Sequence, residues 1–143
     1  VLTRAARTYD SVASVLSQSL RAHVASIWRE AIEVAQETGD PIGSLLANVM
    51  EETPQREIAA QMFPLLPTRT IALRELAAVA DRQAYEQLLE KQPAGPARDQ
   101  EAAGLLHDLS NRLGDLGRRE QALAAIEEEI GRASCRERVR SHV

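Results

Sequence analysis

Apolar residues in this chain recur at spacings of three and four, and no stretch alternates β-branched and polar residues at the two-residue period of a strand. Val12, Val15, Leu16, Leu20 and Val24 form one helical run, continued by Ile27, Ala31, Val34 and Ala35. A sheet would have to be cut from segments that already carry a helical stripe, so the chain is expected to be all-α. Thr38-Gly39-Asp40-Pro41 reads as a stop and a restart. Gly39 suits the left-handed residue after a helix, Asp40 an N-cap, and Pro41 a first helical turn. A helix is expected from about Pro41 to Glu52. Thr53-Pro54 repeats the signal and opens a short segment with Ile58, Met62 and Phe63, which Pro64 and Pro67 end.

From Thr70 to about Gln92, residues Leu73, Leu76, Ala77, Ala80, Ala84 and Leu88 keep to one face of a long helix, with Arg74, Glu75, Arg82 and Glu86 on others. Two prolines and a glycine in Pro93-Ala94-Gly95-Pro96 cannot continue a hydrogen-bonded helix. A loop over 93–98 therefore separates a helical region, 1–92, from the C-terminal part of the chain. Beyond it, Ala103, Leu106, Leu109, Leu113 and Leu116 line one stripe, Gly117 punctuates, and Ala122, Leu123 and Ile126 begin a second. Two antiparallel helices joined by a tight turn are expected. With four aromatics in 143 residues, the core has to be built from Leu, Ala, Val and Ile, which suits close helix packing.

The net charge of −4 is unevenly distributed. Residues 1–129 hold 13 basic against 20 acidic side chains, or −7, whereas residues 130–143 hold four Arg and one Glu. An acidic body lacks the clustered cations whose counterion release drives binding to phosphate backbones, which argues against nucleic acid. The apolar runs are too short to span a bilayer, which argues against a membrane. One cysteine, Cys135, allows no internal disulfide and fits a reducing compartment, with the cytoplasm as the default.

The segment Glu101–Glu128 resembles a tetratricopeptide repeat, in spacing as well as residue type. Counted from Ala103, Leu106 and Leu109 stand at large apolar positions of the repeat and Ser110 at its small one. Leu113 stands where an aromatic is usual, Gly117 at the interhelical glycine, Ala122 at the small second-helix position and Ile126 at the large one. The small residues would let the helices approach closely while the large ones fill the space beside them. This resemblance implies an α-solenoid of antiparallel hairpins over residues 99–128, with further repeats in a parent chain. It also implies a protein or peptide partner on the face carrying Gly104, His107, Asn111 and Asp115. The subset of the family that clamps a terminal carboxylate uses a Lys and an Asn; Asn111 matches the Asn, but His107 replaces the Lys.

Upstream, Trp28–Asp40 is similar to the second helix and exit turn of a degenerate repeat, with Ala31 and Ala35 as small seam residues. Leu45–Val49 echoes Leu105–Leu109. Around Ser11–His23 and Gly39–Ser44 the body resembles the linker between an ATPase module and C-terminal repeats in bacterial signal-transduction NTPases. No phosphate-binding Gly-rich loop with its Lys-Ser/Thr ending is present, so nucleotide chemistry would belong to residues before Val1. The expected function is an interaction scaffold in a larger regulatory protein; the alternative is an intramolecular linker that controls an attached ATPase.

No catalytic role is expected and no cofactor. His23, His107 and His142 are scattered, which gives no metal-ligand spacing. His107-Asp108 resembles the paired His-Asp of metal phosphohydrolases but lacks the supporting residues. Adjacent carboxylates in Glu51-Glu52 and Glu127-Glu128-Glu129 point to different helix faces. Finally, Glu129 to Val139 resembles the translation of a common sequencing adapter over eleven consecutive residues, at the place where the charge reverses and the helical phase is lost. Residues 129–143 are therefore expected to be a non-native tail.

Overall fold

In the computed structural model, residues 10–39 and 41–141 are described, with side chains for 12–39 and 41–132. The described residues form α1 (Asp10–Thr38), α2 (Ile42–Glu52), α3 (Arg56–Met62), a 3-10 turn (Phe63–Leu65), α4 (Arg74–Lys91), α5 (Pro96–Asp115) and α6 (Arg119–Ser141), with no strand among them. The all-α expectation is met. None of these helices is long and apolar enough to cross a membrane.

The helix stops follow local backbone chemistry. Gly39 adopts φ 64°, and its N–H reaches the Ala35 carbonyl at 2.9 Å to close α1. Asp40, expected as the next N-cap, lies outside the described residues; Pro41 occupies the cap position of α2. Thr53 ends α2 in an extended conformation, as the residue before a proline is pushed to do. Pro54 does not open the following helix, which begins two residues later at Arg56. The reason is tertiary: the Gln55 N–H donates to Gln83 Oε1 at 2.9 Å, while Gln83 Nε2 donates to the Met50 carbonyl at 2.7 Å. One buried amide on α4 thus ties both sides of the α2–α3 bend.

The long helix expected from Thr70 starts at Arg74, because the Thr70 hydroxyl accepts from the Leu73 N–H at 3.1 Å and holds a turn ahead of it. By contrast α5 starts earlier than the expected loop allows, at Pro96, where a missing N–H costs nothing. Its end at Gly117, φ 75°, is a Schellman motif: Arg118 N–H to Leu113 O and Gly117 N–H to Gly114 O, both 2.9 Å. In α1 the helix is broken at His23, whose φ −129° and ψ 17° are not helical.

Helices pack in chain order: α1 on α2, α3 on α4, and α5 on α6. Helix α4 also packs on α2 and α5 and joins two apolar clusters. Leu73, Leu76, Ala77, Val79 and Ala80 belong to the core shared with α1 to α3. Ala78, Ala84, Tyr85 and Leu88 belong to the core shared with α5 and α6. No residue from Arg74 to Leu89 is exposed. The expected stripe Leu73, Leu76, Ala77, Ala80, Ala84 and Leu88 is buried throughout, but so are Asp81, Gln83 and Tyr85 on other faces. On α1, Leu16, Leu20, Val24, Trp28, Ala31 and Ala35 are buried; Val15, expected in that stripe, faces solvent.

Candidate functional site

Helices α5 and α6 meet through small residues. Leu106, Leu109, Ser110, Leu113 and Ala122 are buried, and the Ser110 hydroxyl donates to the His107 carbonyl at 2.7 Å, so that its burial leaves no orphaned polar group. Ile126 differs from its expected place in this seam, being 40% exposed. The turn before α6 sets the helix so that Ala125, fully buried, follows Ala122 into the contact. Ile126 is then rotated out, on the same exposed side as Leu123 and Ile130. Glu129 leans back toward α5, its carboxylate 3.9 Å from His107 Nδ1, and the helix continues unbroken to Ser141.

The residues expected to face a peptide, Gly104, His107, Asn111 and Asp115, are all exposed on α5. They do not share one hollow. Gly104 lines a groove of about 500 Å³ bounded by α3 and the turn after it, α4 and α5. Ala60, Phe63, Ala84, Leu88 and Leu105 give the groove an apolar floor, and Glu101, Asp108, Gln87 and Lys91 lie around it. A Cβ on Gly104 would meet nothing within 4 Å, so the groove is open at that point. Asp115 instead lines a separate hollow of about 720 Å³ with Gln36, Arg69, Thr70, Ile71 and Arg74. His107 is turned toward Glu129 and away from the groove.

Sequence reasoning missed Asp108 and Glu101, which flank Gly104 in space. The signal was present in their spacing: Glu101, Asp108 and Asp115 stand seven residues apart, just under two helical turns, so they form one row on the exposed side of α5. A second hollow, of about 460 Å³, lies on the opposite side of α4, where Arg82, Glu86, Leu113, Arg118 and Gln121 line it.

Beneath α5 lies a buried charge pair. Asp81 is 1% exposed and Arg112 8%. Arg112 Nε stands 3.5 Å from Asp81 Oδ2, an atom with no hydrogen bond, while Arg112 Nη1 donates to the carbonyls of Pro67 at 2.6 Å and Thr68 at 2.9 Å. Burial pushes the Asp81 pKa up to about 7. Higher on α4, the Tyr85 hydroxyl donates to Glu128, and Arg132 Nε donates to that hydroxyl at 2.9 Å. Burial raises the Tyr85 pKa, so the phenol stays a donor at neutral pH. Arg132 also lies 3.8 Å from Asp99 on α5.

Among the described residues, no three His, Cys, Asp or Glu side chains are grouped to hold a metal ion. Cys135 and His142 lie outside the residues whose side chains are described. No family model, curated protein or solved structure matches the chain.

Proposed function

We propose that this chain is a protein–protein interaction scaffold, a tetratricopeptide-like segment of a larger regulatory protein that holds a peptide segment of its partner. The observation that carries the reading is the groove across α3, α4 and α5: an apolar floor, open at Gly104, held between helices whose spacing is set by packed cores on either side of α4. Clefts of this size with a mostly apolar lining and a few polar groups at the edge are where ligands commonly bind, and an amphipathic segment laid into such a groove is a recurrent recognition mode. The Ser110, Ala122 and Ala125 seam and the Gly117 turn support the repeat-like reading of the last hairpin, and other repeats would stack on it.

The test is selection of peptides from a displayed random library on the full chain, followed by Gly104→Trp, which fills the groove from an open helix surface. Peptides whose binding Gly104→Trp removes, with helical content and unfolding midpoint not lowered, are the expected result. A library that returns none sensitive to this substitution would overturn the reading. Capture limited to an attached ATPase domain of the same parent would favour the intramolecular linker instead.

A further inference from the structure

We infer that the segment this groove takes is cationic and amphipathic: a helix or extended strand whose apolar side chains seat on the groove floor, whose Lys or Arg side chains meet Glu101 and Asp108 at its edge, and which reaches Asp115 only where it runs on past the groove along the same row. The inference rests on the scaffold reading and adds the chemistry of the partner. The row runs along α5 for about 21 Å, with carboxylates about 10 Å apart. All three are exposed, and none has a cation within ion-pair distance among the described residues; Glu101 accepts only from Gln92 Nε2, at 3.3 Å.

Elsewhere the chain does use its arginines to neutralise carboxylates between helices. Arg21 pairs with Glu52, Arg56 with Glu86 and Glu90, Arg82 with Glu128, and Arg132 with Asp99. Lys91, on the last turn of α4, is the one cation lining the groove among the described residues, against Glu101 and Asp108. The lining is thus net negative within a body that is itself −7 over residues 1–129. An acidic segment or a terminal carboxylate would approach like charge there, and His107, the residue in the clamp position, points toward Glu129. Ala60, Ala84 and Gly104 supply the room: three small residues around Phe63, Leu88 and Leu105 leave space for an entering leucine- or phenylalanine-sized side chain.

Two synthetic 18-residue helical peptides test this against the full chain by fluorescence anisotropy, one of Leu and Lys, the other with Glu in place of every Lys. The Lys peptide should bind and the Glu peptide should not. Affinity should fall by roughly tenfold between about 50 and 300 mM salt, since exposed charge pairs are screened over that range. Glu101→Gln, Asp108→Asn and Asp115→Asn combined should weaken it by roughly tenfold or more. Gly104→Trp, which leaves the charge unchanged, should abolish it, separating groove binding from attraction to an acidic surface. Equal binding of the Glu peptide, or indifference to the triple substitution, overturns the cationic preference. If library selection still yields peptides sensitive to Gly104→Trp, the scaffold reading survives that failure; if nothing sensitive to Gly104→Trp binds, both fall.

Discussion

The Asp81 carboxyl lies under α5, and burial dominates its protonation: the pKa is raised to about 7, with Arg112 pulling it down and Asp108 pushing it further up. A carboxyl that holds its proton more tightly when folded than the ordinary value of 3.8 stabilises the fold most below that value and loses this contribution as pH rises toward 7. Stability should therefore decline between about pH 4 and 7 by up to about 1.4 kcal/mol per pH unit from this group. Urea unfolding across that range checks it, and Asp81→Asn should flatten the slope; an unchanged slope would clear Asp81 of the effect. Removing the cation is a different experiment. Arg112→Met strands a buried carboxylate and frees the carbonyls of Pro67 and Thr68, and at pH 8 should cost about 3 kcal/mol in the same assay. None of this was legible in the sequence, where a charged residue on a helix reads as solvated. Asp81 and Arg112 are thirty-one positions apart, and only packing brings them together.

Glycines distinguish positions within elements that the helical pattern treats alike. At the start of α2, a Cβ on Gly43 would stand 2.8 Å from the Ala72 carbonyl oxygen and 3.1 Å from Leu73 Cδ2, so α2 and the approach to α4 could not stay as close. Gly43→Ala should destabilise by about 1–3 kcal/mol. Gly104→Ala, in the open interior of α5, should instead stabilise by about 1 kcal/mol through helix propensity alone. Paired thermal unfolding curves decide between these signs; a shift in the same direction for both would contradict the packing described. Stops such as Gly39 and Gly117 were legible because a left-handed residue is a local requirement. The starts of α3 and α4 slipped because distant or intervening side chains decided them: Gln83 for one, Thr70 for the other. For Ile126 the apolar period was right and the face was not, since large and small apolar residues both fit a helical stripe and the contact selected Ala125.

At the scale of the molecule, α4 lies in both apolar clusters, so the two ends of the chain cannot unfold independently without exposing it. Hydrogen exchange should show its slowest amides between Leu76 and Leu88, exchanging with the free energy of global unfolding, and denaturation should follow one transition. Two separable transitions, or faster exchange in α4 than in α5, would refute that. The sequence conveyed the all-helical class and the paired arrangement of the last hairpin's turn, because period and punctuation encode them. It did not convey the centrality of α4, whose Asp81 and Gln83 look like a wetted flank until neighbours cover them. A rod shared by two packed cores has little freedom to vary on the faces it gives to them: on an evolutionary timescale, related chains should diverge first along α1 and α6, and the middle rod should be the last to drift.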